Sequence, residues 1–278
     1  EIISADSMQI YKNMNIGTAK PTKEEMQGIK HYLIDFVLPT QRYSVADFKK
    51  DAMKAIEEII DKGKVPIIVG GTGLYLNSLI YNIEYQNIEI DLEYREQLEQ
   101  IAEKEGLDKL YQMALEIDKE AAEKISSNDK KRILRILEIY HQTGMTKTQQ
   151  EIESRKNEVP YNYLVFGINM ERELLYDRIN KRVDIMLEQG LIEEVAKLLE
   201  NYKDFPTAMQ GLGYKEVVEY LTEKISKDEM IEKIKMESRR YAKRQLTWFR
   251  KNKETIWIDG TEPKDKNINL ILEEYGKE

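Results

Sequence analysis

Five short strand-like segments, at residues 1–5, 31–37, 65–69, 163–168 and 255–258, are separated by helical patterns such as that over residues 45–61. Strands alternating with helices predict an α/β fold, a parallel sheet with helices on its faces. The segment at 65–69 reads as a buried strand that turns tightly into a helix through Gly70-Gly71-Thr72-Gly73-Leu74-Tyr75. Between about residues 89 and 158 no strand pattern occurs; charged amphipathic helices follow one another, with breaks near Gly106, Ser126-Ser127-Asn128 and Gly144. This block is expected to be a helical insertion, leaving residues 1–88 and 159–278 as the α/β core. Within it, Ile133, Leu134, Leu137 and Tyr140 recur at helical spacing, which places Arg132 and Arg135 on a different face. Helices over 171–202 and 227–251 return to the core.

With 278 residues, 41% of them hydrophobic, the chain can bury a core and a second, smaller unit. No apolar run reaches the roughly eighteen residues of a membrane span, and a cytoplasmic setting is expected. Cysteine is absent and the histidines are His31 and His141, which excludes disulfides, thiolate metal sites and a histidine-rich zinc site. Any metal would be a hard cation on oxygen ligands.

A net charge of −8 argues against indiscriminate nucleic-acid binding, but charge distribution matters more than its sum. From Arg239 to Lys253 there are seven cations and no acid, interleaved with Tyr241, Trp248 and Phe249. One-sign charge with aromatic faces suits phosphate contacts and base stacking, whereas solvated helix faces usually mix both signs.

The run Ser4-Ala5-Asp6-Ser7-Met8-Gln9-Ile10-Tyr11 places a carboxylate where the first strand gives out into a loop. Ligands of open α/β sheets bind outside the carboxyl ends of the strands, which makes Asp6 a candidate base; alternatively Asp6 and Ser7 only cap the next turn. The glycines at 70–73 would let backbone N–H groups approach a ligand, with Thr72 adding a hydroxyl, or would serve packing alone. Gln210-Gly211-Leu212-Gly213-Tyr214-Lys215 is a second glycine-spaced loop before a helix, and a plain loop is its alternative reading. Arg178, Arg182 and Asp184 fall on one helix, either as a clamp for an anionic leaving group or as a salt-bridged surface. A phosphate-handling sheet begins with a strand, a glycine-rich loop ending in Gly-Lys-Ser/Thr and a helix. Here the chain opens at what reads as the second strand, so the expectation is an N-terminal truncation that leaves the fragment inactive or poorly folded.

Together these segments resemble the tRNA dimethylallyltransferase (tRNA isopentenyltransferase) family of the bacterial type. The resemblance rests on SADSMQIYKNMNIGTAKP, HYLIDF followed by YSVADF, GGTGLY, NDKKRILRILEIYHQTG, RINKRVDIMLEQGLIEEV, AMQGLGYKE and RRYAKRQLTWFRK, and covers essentially the whole chain. It implies a P-loop-NTPase-like core with an inserted all-helical domain. The implied reaction transfers a dimethylallyl group from dimethylallyl diphosphate to N6 of the adenosine 3′ of the anticodon, in tRNAs reading codons that begin with U, with magnesium (Mg2+). By the same resemblance Asp6 is the general base and Arg182 meets the diphosphate. Ser7, Met8 and Gln9 surround the target base; Thr72, Arg95, Lys131, Arg132, Ile133, Leu134 and Arg135 contact tRNA, as do Gln210, Gly211, Leu212, Gly213, Tyr214 and Lys215. The partners implied are the tRNA anticodon stem-loop and dimethylallyl diphosphate, with no membrane and a monomeric protein. Three alternatives remain: an isopentenyltransferase acting on free adenine nucleotides, a nucleotide kinase of the same fold class, and a non-catalytic tRNA-binding module. The long helical block and the basic aromatic helix speak against a free nucleotide as substrate.

Overall fold

β-branched residues carry Ile2–Ser4 into the first strand, β1. On either side lie β2 (His31–Tyr32) and β3 (Ile67–Val69), both parallel to it in the order β2-β1-β3, with Ile3 opposite Tyr32 on one side and Ile68 on the other. Parallel neighbours need a crossover. The chain crosses from β2 to β3, on the other side of β1, through helix α1 (Val45–Asp61). Its N-terminus is closed by a capping box: Ser44 Oγ accepts the Asp47 N–H at 3.2 Å and the Asp47 carboxylate accepts the Ser44 N–H at 2.8 Å. Phe48, Ala52, Ile56 and Ile59 form its buried stripe. The strand β3 then leads into α2 (Gly73–Ile80).

The computed structural model describes residues 1–85, 91–154 and 156–277. They divide into two compact units, Glu1–Leu76 with Tyr161–Glu278, and Asn77–Pro160. The expected start of the helical block at residue 89 lies outside the described residues.

In the second unit, α3 (Leu92–Glu105), α4 (Leu107–Ile117), α5 (Lys119–Glu123), α6 (Lys130–Thr143) and α7 (Lys147–Ser154) surround a core of Leu98, Leu110, Ala114, Ile133 and Leu137. Gly106 and Gly144 end their helices at φ +86° and +67°, a region that glycine enters without steric cost. An unforeseen break falls at Asp118, whose carboxylate accepts the Ala121 N–H at 3.1 Å and the Thr148 N–H and hydroxyl, each at 2.7 Å. One buried acid thus caps α5 and ties α7 to it.

The first unit resumes with β4 (Phe166–Asn169), α8 (Arg172–Glu188), α9 (Leu191–Asn201), α10 (Tyr214–Leu221), α11 (Lys227–Phe249), β5 (Ile256–Asp259) and α12 (Lys264–Tyr275). Strands β4 and β5 pair in parallel, Phe166 opposite Ile256, as a separate two-stranded sheet. Among the described residues the parallel sheet is therefore in two parts. A core of Tyr11, Met14, Val183, Leu191, Tyr214 and Met230 packs α8 to α11 against the chain after β1.

Three expectations are corrected. The strand expected over 31–37 stops at Tyr32, because Leu33 and Asp35 take left-handed φ of +58° and +56°; the chain returns only at Val37, bridged to Tyr11. The strand at 65–69 is not buried: Pro66 lacks the N–H needed for a ladder, and Ile67 and Val69 are 54% and 53% exposed. Its outer edge has no partner strand among the described residues. The single helix expected over 171–202 is two, broken at Gly190 with φ +97°. No described helix is long and apolar enough to cross a membrane.

Candidate active site

At the carboxyl end of β1 the chain turns on Asp6. Its Oδ1 accepts the N–H groups of Met8 at 2.8 Å and Gln9 at 3.2 Å, so the carboxylate does cap the turn that follows. Among the described residues Oδ2 has no such partner, so one residue both fixes the loop and presents a second oxygen. Across from it, the Ala5 and Thr72 backbones bind the two strand ends together: Ala5 N–H to Val69 O at 2.8 Å, Thr72 N–H to Ala5 O at 3.1 Å. The Ser7 N–H donates to Thr72 Oγ1 at 3.0 Å, and the Thr72 hydroxyl donates back to Ser7 Oγ at 3.2 Å. Asp6, Ser7 and Thr72, expected to share a site, are thus brought together by strand pairing. Burial pushes the Tyr75 and Tyr241 hydroxyl pKa values up, and the Asp6 charge adds to both, so two protonated phenols stand in the field of this carboxylate.

The glycines of the 70–73 turn are explained by close approach. A Cβ on Gly70 would lie 2.3 Å from the Ala5 carbonyl, and one on Gly73 would lie 2.3 Å from the Trp248 indole. The packing alternative therefore accounts for both. The turn is also where α11 is anchored: Gln245 Nε2 donates to Gly71 O at 2.9 Å.

The side chain of Gln9 is engaged within the fold. Its Nε2 donates to Thr18 O at 3.1 Å and Ala19 O at 3.3 Å, while its Oε1 accepts from Ser4 Oγ at 3.3 Å. It holds the 15–20 loop beside the Asp6 turn. Lys20 closes that loop by donating to Tyr11 O at 2.7 Å and to Asp35 at 2.5 Å; burial lowers its pKa and Asp35 opposes this. Met8 packs into the core and touches Gly211.

Sequence reasoning missed Glu194. Its carboxylate accepts the Asn15 and Ile16 N–H groups at 2.8 Å, the Gly17 N–H at 3.3 Å and the Tyr214 hydroxyl at 2.6 Å. Successive backbone N–H groups make a concave anion seat, here filled by a side chain from α9. The signal was present: Glu194 interrupts the inward stripe of Leu191, Val195 and Leu198. Tyr214 is fully buried with its ring against Gly17. The 210–215 loop is therefore a hub of the core, in which Gly213 takes φ +91° and its N–H meets Glu216 at 2.8 Å. Leu212 packs on the core, Gln210 is exposed, and Lys215 lies 3.3 Å from the buried Glu216.

Arg182 and Arg178 are exposed on α8, and neither has an acidic partner among the described residues. Asp184 pairs instead with Lys235 of α11 at 2.7 Å. No described hydrogen bond joins Arg182 to the Asp6 turn, so the two groups expected to be catalytic sit on separate elements.

The remaining expected contacts belong to the second unit. Arg95 lies 3.1 Å from the buried Glu138, close enough for an ion pair yet without hydrogen-bond alignment, since both atoms lack a bonded partner. Ile133 and Leu134 are 0% and 3% exposed, so their side chains belong to the core of this unit. The helical period forces this, because both face Leu98 and Leu110. Lys131 and Arg132 are exposed, Arg132 paired with Asp129 at 3.1 Å, and Arg135 is half-buried. Among the described residues no three acidic or histidine side chains converge as a metal site.

Residues 9–252 match the family model described as IPP transferase. A tRNA dimethylallyltransferase of Acetivibrio thermocellus is 54% identical over 99% of this chain and 90% of its own length. That of Carboxydothermus hydrogenoformans is 50% identical over 99% and 89%. Among solved structures, the full-length tRNA isopentenylpyrophosphate transferase of Bacillus halodurans superposes with a TM-score of 0.72 at 42% identity, covering 100% of this chain and 87% of that one. A eukaryotic dimethylallyltransferase acting on tRNA superposes at 0.73 and 32% identity, over 94% and 68%.

Proposed function

The chain belongs to the IPP transferase family, and on that premise we propose that it transfers a dimethylallyl group from dimethylallyl diphosphate to N6 of the adenosine 3′ of the anticodon in tRNA. The observation that carries this reading is the Asp6 turn, a carboxylate fixed through one oxygen by two backbone N–H groups, the other oxygen having no such bond among the described residues. The adenine amino group is a weak nucleophile because its lone pair is delocalised into the ring. As N6 bonds to the allylic carbon, the bond from that carbon to the diphosphate oxygen breaks and the N6 proton passes to Asp6, a general-base contribution of about 10² to 10⁴ in rate. The departing diphosphate carries growing negative charge, which Arg182 would meet as an unpaired cation. To reach Asp6 the base must leave its stack.

On this reading the first unit is a P-loop-NTPase-like core, and the helices of the second unit contact the anticodon stem-loop through Lys131 and Arg135. Magnesium would accompany the diphosphate; this chain's described residues do not themselves form a cluster to hold it. The test is mass spectrometry of a tRNA reading U-initial codons after incubation with the protein, dimethylallyl diphosphate and magnesium. Adenosine heavier by one dimethylallyl group supports the reading. A tRNA that binds but stays unmodified leaves a non-catalytic RNA-binding module.

A further inference from the structure

The bonds that hold Asp6 continue through the fold as far as Glu194. The Gln9 N–H that donates to Asp6 Oδ1 at 3.2 Å belongs to a residue engaged at each of its polar atoms. Its carboxamide donates to Thr18 O at 3.1 Å and Ala19 O at 3.3 Å and accepts from Ser4 Oγ at 3.3 Å, while its carbonyl accepts the Asp35 N–H at 3.0 Å. The 15–20 loop that receives the carboxamide is closed on itself: Ala19 N–H donates to Ile16 O at 3.0 Å, Lys20 N–H to Asn15 O at 2.9 Å and the Thr18 hydroxyl to Met14 O at 2.7 Å. Within it Ala19 takes a left-handed φ of +47°, which a residue with a Cβ keeps only where its surroundings impose it. On the loop's other side lies the Glu194 carboxylate, accepting the successive N–H groups of Asn15, Ile16 and Gly17.

A loop bonded internally in this way moves as one piece, and Glu194 is the charged group that fixes where it sits. Hydrogen bonds to an ionised acceptor are roughly twice as strong as neutral ones. The Glu194 charge also favours protonated Lys20, whose ammonium ties the end of the loop to Tyr11 O and Asp35. Gln9 then passes the position of the loop to the turn. Without the Thr18 and Ala19 carbonyls its carboxamide regains its rotamers, and the N–H that orients Asp6 Oδ1 loses its support. A general base must lie within hydrogen-bond reach of the proton it takes. The orientation of Asp6 therefore governs the chemical step and not the affinity for RNA.

We propose that Glu194 is a positioning residue for the transfer reaction, which sets the orientation of the Asp6 carboxylate through the 15–20 loop and Gln9. This rests on the reading of Asp6 as the general base and adds a remote residue to it. The experiment compares the unaltered protein with Glu194→Gln, Gln9→Leu, the double variant and Val195→Ala. A glutamine keeps the shape of Glu194 but turns an N–H toward the donors of the loop. Val195→Ala removes buried methyls from the same helix and leaves the carboxylate in place. Each protein is read by its melting temperature, its tRNA dissociation constant, its transfer rate at saturating tRNA and dimethylallyl diphosphate with magnesium, and hydrogen exchange at the Met8 and Gln9 amides. For Glu194→Gln the transfer rate is expected to fall by about 10², the tRNA dissociation constant to stay the same, and the two amides to exchange faster. Val195→Ala lowers the melting temperature and leaves the rate and the exchange unchanged. The double variant loses no more than the worse of its two parents, because both act on one path. Should Glu194→Gln melt below the assay temperature, Glu194→Asp, which draws the charge back by one methylene, carries the same expectations. A folded Glu194 variant with an unchanged rate, a rate loss matched by Val195→Ala, or losses that multiply in the double variant overturns the proposal, while transfer by the unaltered protein leaves the enzyme reading standing. No transfer by the unaltered protein overturns that reading and this role with it.

Discussion

The Tyr214 hydroxyl donates to the Glu194 carboxylate at 2.6 Å, and that same carboxylate receives the N–H groups of Asn15, Ile16 and Gly17. A core tyrosine and the loop that Gln9 tethers beside Asp6 are thereby fixed to one side chain. The Tyr214 pKa is raised, by burial first and by Glu194 second, so the phenol stays a donor throughout the neutral range.

Removing the carboxylate leaves those donors without their acceptor. Glu194→Ala is expected to destabilise the protein by about 3 kcal/mol and Tyr214→Phe by about 2 kcal/mol, the usual range for stranding buried partners of a charged group. Urea denaturation of the single and double variants measures both. Because the two act on one network, the double variant falls short of the sum; additive losses would show that the pair is not coupled.

Gly70 allows the β1 and β3 ends to meet. Gly70→Ala forces a Cβ against the Ala5 backbone, which has no rotamer to yield, and is expected to cost about 3 kcal/mol by overpacking. Gly73→Ala meets the Trp248 side chain, which can shift, and costs less. Thermal melting of the two variants gives the order, and equal melting points would count against the close contact.

Asp6→Asn keeps an oxygen for the Met8 and Gln9 N–H groups but cannot accept the N6 proton. Transfer should fall by about 10² to 10⁴, with the tRNA dissociation constant and the melting temperature unchanged. Full transfer by this variant would remove Asp6 from the base role.

Arg95 is expected to serve stability as well as any RNA contact. Arg95→Ala strands the Glu138 carboxylate, 4% exposed, and should cost about 3–5 kcal/mol, as breaking a buried pair does. Pairing it with Glu138→Leu should restore much of that loss. A single variant that melts like the unaltered protein would mark Arg95 as a free surface cation.

At the opposite end of β1, Glu58 accepts from Lys62 at 2.8 Å, Lys30 at 3.0 Å and the Tyr32 hydroxyl at 2.9 Å, and these bonds hold its carboxyl at about 2. Glu1 beside it is likewise held at about 2, chiefly by Lys64. A carboxylate with a lowered folded pKa stabilises the fold above its unfolded value and loses that contribution as pH falls through the folded one. Stability should therefore decline between about pH 4.5 and pH 2. Glu58→Gln should flatten that decline in denaturation midpoints recorded against pH, and added salt should blunt it, since the cluster is exposed.

Alternation, periodicity and glycine placement are local properties, and they were legible in the sequence: α1 runs over the expected residues 45–61, and the second unit breaks at Gly106 and Gly144. So was the family, through ordered blocks that no single motif could match. Legible too was the position of Asp6, because a strand end is set by its own residues. What the sequence did not determine depends on which distant side chain arrives. The helical spacing of Ile133 and Leu134 marks them as one apolar stripe, but only the fold supplies Leu98 and Leu110 as the residues they pack against. Gln9 and Trp248 read in the sequence as groups for a base or RNA, and Glu194 went unread, yet each engages a loop or turn that chain folding brings alongside. Hydrogen bonds and close contacts act over a few ångströms of space regardless of sequence separation, so the partners of these residues were decided by the tertiary structure alone.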